Sequence, residues 1–347
     1  MSDPGEPSAG YRGRPPYLLY LGNASDELSI KTARGLAYWR AEQCVGQHRR
    51  HDCAVDLGLP DLAIERALAL GAHSMLIGAV NAGGVMDTQT ITDAIAALDA
   101  GLHVVSGLHQ KLRDQPEIVA AARRNGLTLF DARFAPPGIA VGTGKPRAGR
   151  RLLTVGTDCS VGKMYTALAL EQSLRRRGQA ADFRATGQTG ILIAGAGIPI
   201  DAVIADFVSG AAEALSPARS DGGWDLIEGQ GSLFHPSFAG VSLGLLHGAQ
   251  PDALVLCHEP PRRHMRGLPE YPLPDLLACM EANLAAARLT NPQVRPVGIA
   301  LNTSHMDADD AQATCARIGS LFGLPCEDPV RDGVEAIAEH LLASFAG

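Results

Sequence analysis

No apolar run in the 347 residues is long enough for a membrane-spanning helix, which argues against a membrane protein. Clustered positive charge is also missing. Lys and Arg number 30 against 37 Asp and Glu, the formal charge is −7, and the only dense basic runs, Arg49-Arg50 and Arg175-Arg176-Arg177, are short. Binding a nucleic-acid backbone draws on clustered Lys and Arg, so no nucleic-acid partner is expected. The seven cysteines are odd in number and contain no Cys-x-x-Cys pair, which speaks against a disulfide framework and for a reducing, cytoplasmic setting. Residues 1–16 lack the apolar core of a signal peptide. Rich in Gly, Pro, Ser and charge, they are expected to form a disordered tail.

What is present is apolar content of 46%, enough for two cores in a chain longer than one core usually supports. From Tyr17 the first half alternates short apolar runs with amphipathic stretches. Strands are expected at Tyr17–Leu21, Ser74–Val80, His103–Val105 and Leu127–Phe130. Helices are expected near Lys31–Arg40, Leu62–Leu70, Thr90–Ala100 and Pro116–Asn125. This alternation predicts a Rossmann-like α/β domain over 17–134 with a parallel sheet. The glycine fingerprint of dinucleotide binding is absent, since Leu21-Gly22-Asn23-Ala24-Ser25 follows the first strand. Residues 135–150, full of Pro and Gly, read as a linker to a second α/β domain over 151–347. There, runs at Arg151–Val155, Leu226–Ile227, Ala253–Cys257 and Val297–Leu301 predict parallel strands. Patterns at Met164–Arg177, Leu273–Arg288, Ala308–Phe322 and Val334–Phe345 predict helices.

The second domain opens with a phosphate cradle. Gly156, Thr157, Asp158, Cys159, Ser160, Val161, Gly162, Lys163 and Met164 join a strand to a helix, so backbone N–H groups and the positive helix end meet one anion beside a lysine. The hydroxyl residue that usually follows the lysine and holds Mg²⁺ is missing. Met164 stands there, and a thioether is a poor ligand for so hard a cation. A phosphorylated ligand is expected, without metal-assisted ATP hydrolysis. Gly156 lies six residues before Gly162, and the loop resembles that of dethiobiotin synthetase and its relatives, whose Glu-Gly-Ala-Gly segment Glu228-Gly229-Gln230-Gly231 also resembles. By the same resemblance Asn302-Thr303 faces a purine; a polar helix cap is the alternative. Ile77–Gly84 is a second glycine-rich strand end, suited to a turn or to close approach of a ligand.

From Tyr17 onward the chain resembles a bacterial family, the DgcN-type D-glutamate N-acetyltransferases. The resemblance is carried by Val105-Ser106-Gly107-Leu108-His109, by Gly156–Met164 and by Asp206-Phe207-Val208-Ser209-Gly210-Ala211-Ala212-Glu213. Glu228-Gly229-Gln230-Gly231-Ser232-Leu233-Phe234-His235-Pro236 and His258-Glu259-Pro260 add to it. It implies a Rossmann-like domain before a P-loop NTPase-like domain of the dethiobiotin-synthetase kind, and transfer of an acetyl group from acetyl-CoA to the amino group of D-glutamate. The phosphates of coenzyme A suit a lysine-bearing anion nest without a metal.

Such acyl transfer needs a base, oxyanion donors and cations for the substrate carboxylates. Glu228, at a strand end where burial raises a carboxylate's pKa, is the first candidate base, with orientation of Lys163 as its alternative role; Asp158 is the second, with a turn-forming role as its alternative. Arg262 or Arg263 would grip a substrate carboxylate, and His258, His109 and Gln230 join the expected substrate contacts. The set His258, Glu259 and His264 invites a metal reading, but no second cluster with zinc spacing supports it, and no metal is expected. His48, His51 and Cys53 read as charges near the end of the first helix. Cys159, its pKa lowered by the helix end, offers an acyl-cysteine route that ranks below direct attack by the amine. The competing functions are an ATP- and Mg²⁺-dependent ligase or carboxylase and a non-catalytic nucleotide-binding regulatory module. A small-molecule substrate and a homo-oligomer are expected.

Overall fold

A computed structural model describes residues 14–27, 29–79 and 85–346. They divide into two compact units: the first runs to Pro137 and includes Gly187–Pro199, and the second comprises Gly138–Thr186 with the chain from Ile200. Among the described residues no helix is long and apolar enough to cross a membrane.

The first unit contains β1 (Tyr17–Gly22), α1 (Lys31–Trp39), β2 (Cys44–Arg49), α2 (Ile64–Ala69), β3 (Ser74–Ile77), α3 (Thr88–Ala100), β4 (His103–Ser106), α4 (Pro116–Asn125) and β5 (Leu129–Asp131). Its sheet is parallel, in the order β2-β1-β3-β4-β5. All six residues of β1 are buried, the mark of an inner parallel strand covered on both faces. Leu18, Tyr20, Met75, Ile77 and Val104 belong to one core with Ile64, Ala67, Ala94, Leu98, Ile118 and Ala122 from the helices. This is the Rossmann-like, parallel α/β arrangement that the alternation predicts.

Three details depart from expectation or extend it. His48 does not end a helix: α1 stops at Trp39, and His48 lies on edge strand β2, its Nδ1 2.7 Å from the Leu62 carbonyl oxygen. Strand β2 is half-polar and only half-buried, so it offers no apolar run to a hydrophobicity reading. Residues 1–13 of the expected tail lie outside the described residues, whereas Arg14 and Pro16 accept hydrogen bonds from Ser74 Oγ and His73 N, both at 2.8 Å. Of the glycine-rich strand end, Val80–Gly84 lies outside the described residues; Gly78 packs against α1, where a Cβ would come within 2.4 Å of Ala33 Cβ.

The second unit starts with β6 (Arg150–Gly156), α5 (Lys163–Arg176) and β7 (Ala181–Arg184). Helix α6 (Gln188–Ala194), next in the chain, is counted with the first unit, where it packs on α1 with Thr32 Oγ1 and Thr189 Oγ1 3.0 Å apart. Then follow α7 (Val208–Leu215), β8 (Trp224–Ile227), α8 (Ala239–Ala249), β9 (Ala253–His258), the antiparallel hairpin β10 (His264–Met265) and β11 (Leu268–Pro272), α9 (Leu276–Arg288), β12 (Arg295–Leu301), α10 (Ala308–Phe322), β13 (Cys326–Glu327) and α11 (Glu335–Ser344). The six-stranded sheet is parallel, in the order β13-β12-β9-β6-β8-β7. Strand β6 therefore lies between β9 and β8, and the carboxyl ends of these three strands deliver Gly156, His258 and Glu228 to one edge, where open α/β sheets collect ligands. Residues 138–149, inside the segment expected to link the domains, are fastened to the second unit. Glu213 accepts the N–H groups of Thr143 and Gly144, each at 2.8 Å, and Arg147 Nη2 donates to the Gly248 carbonyl at 2.7 Å.

Candidate functional site

At the end of β6 the chain turns sharply because of its glycines. A Cβ on Gly156 would stand 2.8 Å from Val161 Cγ2 and 3.3 Å from Lys163 Nζ, and Gly162 adopts a φ of 102° immediately before α5. The turn leaves the N–H groups of Ser160, Val161, Gly162 and Lys163 without acceptors among the described residues. Unpaired donors at the positive end of a 14-residue helix form a ready anion site. Lys163 Nζ, buried, donates to the carbonyl oxygens of Asp158 at 2.7 Å and Gly231 at 2.8 Å. Burial pushes its pKa down. Both acceptors are neutral, so a bound anion would be the first full negative charge to hydrogen-bond to this ammonium. Met164 is half-buried at the second position of α5.

The Asp158 carboxylate is fully buried and holds the loop together. Oδ1 accepts from Cys159 N at 2.6 Å, while Oδ2 accepts from Arg262 Nη1 at 2.8 Å and Arg266 N at 2.7 Å. Arg262 also donates to the Cys159 carbonyl at 2.7 Å and pairs with Glu259, so its guanidinium is engaged within the protein. Arg263 is exposed, and its side chain has no hydrogen bond or ion pair among the described residues; of the two arginines it is the one left for a ligand carboxylate.

Beside the loop, β8 ends in Glu228. Its Oε2 accepts from Thr186 N at 3.0 Å, Thr186 Oγ1 donates to the Glu228 carbonyl at 2.7 Å, and Gln230 Nε2 donates to Thr186 Oγ1 at 2.9 Å. Gly229 fits only as glycine. A Cβ there would fall 1.7 Å from the Thr154 carbonyl oxygen and 2.9 Å from Lys163 Cδ. Glu228-Gly229 thus lies directly against the stem of the loop lysine.

His258 closes β9 with its Nδ1 3.0 Å from Thr157 Oγ1. Burial, reinforced by Arg262, pushes its pKa from 6.5 to about 4, so it is a neutral polar group at physiological pH. The folded value lies below the unfolded one. Hence the unfolded chain binds the extra proton between pH 6.5 and 4, and stability contributed above this window is lost as pH falls through it. The full shift corresponds to about 3 kcal/mol. His258→Gln, which does not titrate, is expected to show a smaller loss of stability between pH 6.5 and 4 than the parent, read from urea midpoints; parallel slopes would contradict this.

Asn302 follows β12, its N–H donating to the His258 carbonyl at 2.8 Å and its Oδ1 accepting from Ser304 N at 3.2 Å. It does not cap a helix, because the N-cap of α10 is Asp307; the cap alternative is corrected to a turn. Thr303 bonds to Asp328 through both its N–H and its hydroxyl, at 2.8 and 2.5 Å. His109 lies in the first unit, exposed, with Nδ1 3.4 Å from Arg133 Nη1.

His235 carries no local sequence signal that sets it apart from other loop histidines, yet the fold brings it to the loop. It is 2% exposed, its Nδ1 accepts from Ser237 N at 3.1 Å, and its ring stacks on Phe238 at 4.4 Å. Among the described residues, Asp158, Cys159 and His235 form the one trio of possible ligating atoms within 4.8 Å of one another. The donor chemistry disfavours a metal. A ligating imidazole normally donates its other N–H outward, whereas Nδ1 here is an acceptor, and the Asp158 oxygens already accept three N–H bonds. Cys159 corrects another expectation: burial raises its thiol pKa, outweighing the pull of Lys163, Arg266 and Arg262.

Residues 139–338 match the P-loop domain of DUF1611, described as a domain of unknown function, and residues 42–135 match the Rossmann-like N-terminal domain of the same name. A protein of Pseudoalteromonas sp named D-glutamate N-acetyltransferase is 52% identical over 328 residues, covering 94% of this chain and 99% of its own. One of the same name from Tritonibacter scottomollicae is 47% identical, covering 94% and 98%. The crystal structure of a DUF1611 family protein from Anabaena variabilis superposes with a TM-score of 0.85 at 32% identity, over 94% of this chain and 99% of that one.

Proposed function

The chain belongs to the DUF1611 family, and from that membership we propose that it is an enzyme that transfers an acetyl group from acetyl-CoA to the amino group of D-glutamate. The observation that carries the reading is identity of 52% and 47%, over 94% of the chain, to two proteins named D-glutamate N-acetyltransferase. The site is chemically suited to it. Unpaired N–H groups, the end of α5 and Lys163 make a cradle for a phosphate of coenzyme A, and Met164 withdraws the hydroxyl that would hold Mg²⁺ for phosphoryl transfer.

In this reading Glu228 takes the proton from the substrate ammonium, and the freed amine attacks the acetyl carbonyl. The C–N bond forms, the C–S bond breaks, and the departing thiolate takes up a proton. Glu228 is preferred to Asp158 as the base because the Asp158 oxygens hold Cys159, Arg262 and Arg266. Arg263 supplies the planar fork for a substrate carboxylate, and His258, held neutral, adds a polar contact without charge.

The test is to incubate the purified protein with acetyl-CoA and D-glutamate and to follow free thiol. Release that depends on both substrates supports the reading; none above background at any substrate ratio removes it. Mg²⁺-dependent formation of ADP from ATP, the signature of a ligase or carboxylase, is expected to be absent.

A further inference from the structure

His235 has one atom that the fold leaves unexplained. Its Nδ1 accepts the Ser237 N–H, so the neutral ring carries its proton on Nε2, and a second proton on Nδ1 would point at that N–H. The Nε2 atom is buried and has no hydrogen-bond partner among the described residues. Asp158 Oδ1 is 4.0 Å away, beyond hydrogen-bond range, and it is pinned by Cys159 N. Stacking on Phe238 and the bond from Ser237 hold the ring in place. A buried donor without an acceptor is costly, so its retention beside the phosphate loop calls for an acceptor supplied by a ligand.

We propose that His235 is a neutral hydrogen-bond donor to an anionic oxygen of the ligand held at the Gly156–Met164 loop. The charges around the loop favour such an oxygen. The Lys163 ammonium hydrogen-bonds two neutral carbonyls, the Arg266 guanidinium a neutral hydroxyl, and the Asp158 carboxylate is offset by Arg262 and by the backbone N–H groups of Cys159 and Arg266. The anionic oxygen has two possible sources: a phosphoryl group of the acyl donor, or the oxyanion that develops on the acetyl carbonyl during transfer. A donor suits either; a base does not, because Nε2 already carries the proton. The choice of ligand rests on the acetyl-transfer reading, while the donor role rests on the loop alone.

The experiment compares the parent with His235→Phe, which keeps the stack on Phe238 and removes the donor, and His235→Gln, whose amide N–H reaches a similar position. Thermal melts check that both variants fold. Titration with inorganic pyrophosphate probes the anion cradle without assuming an acyl donor; titration with coenzyme A and steady-state turnover follow. A phosphoryl contact predicts that Phe weakens pyrophosphate and coenzyme A binding tenfold or more with kcat largely kept. An oxyanion contact predicts that kcat falls tenfold or more with binding unchanged. In both cases Gln stays within about threefold of the parent, since a neutral donor is replaced by a neutral donor. Phe matching the parent in every measurement overturns the proposal. So does a folded Gln variant as impaired as Phe, which indicates a base, or one equivalent of zinc bound by the parent and lost in Phe. A parent that binds pyrophosphate but not coenzyme A refutes the acyl-donor reading and leaves His235 to be judged on the pyrophosphate arm.

Discussion

Glu228→Gln is expected to lower turnover by about 10² to 10⁴-fold, the range in which a positioned general base contributes, while the dissociation constant for coenzyme A changes by less than about twofold. The contacts to Thr186 and Arg184 survive the change: the glutamine carbonyl can still accept the Thr186 N–H, and Glu228's backbone bonds to Arg184 and Thr186 do not involve its charge. What is lost is the capacity to take a proton. Turnover in a pH series and calorimetric titration of coenzyme A separate the two quantities. Equal loss of turnover and binding would assign Glu228 to orienting the lysine and the loop, not to proton transfer.

Lys163→Ala is expected to weaken coenzyme A binding by about 1.5 to 3 kcal/mol, roughly 10- to 150-fold, the contribution of a charge-assisted hydrogen bond. The protein should stay folded, because among the described residues the lysine side chain bonds only to two loop carbonyls, those of Asp158 and Gly231, and Asp158 keeps its own three donors. Its depressed pKa adds a second, independent outcome. An anion at the loop favours the protonated lysine, so affinity in the parent should decline as pH rises through the lowered Lys163 value toward 10.5, and Lys163→Ala should lose that slope. Unchanged affinity for coenzyme A would mean that the cradle serves another ligand.

The parts of this protein that were legible in its sequence are those whose physics is local. Inner strands such as β1 and β9 are buried over almost every residue and so appear as unbroken apolar runs. The phosphate loop needs only nine consecutive residues to place its glycines and lysine. Of the four edge strands of the parallel sheets, β5 was legible and the other three were not. Strand β2 is half-polar, β13 has two residues, and β7 alternates buried with half-buried positions, so none offers a run that stands out. Helix α8 carries glycines at 240, 244 and 248 that a propensity reading takes for loop, yet Gly248 is required where the helix backbone meets Ser209: a Cβ there would fall 2.1 Å from the Ser209 carbonyl oxygen.

Residue types and their spacing by themselves determined two parallel α/β folds, an anion cradle at Gly156–Met164 and the missing Mg²⁺ ligand at Met164, because backbone turns and side-chain chemistry act over a few residues. Only the tertiary structure decided which charges remain available to a ligand. Arg262 is 104 positions from Asp158 in the chain yet is bound to it, whereas the Arg263 side chain has no partner among the described residues, and His235 reaches the loop from beyond β8 with its Nε2 unpaired among them. Pairing of that kind depends on which strand ends the sheet order brings together, and hydrophobic periodicity carries no record of it.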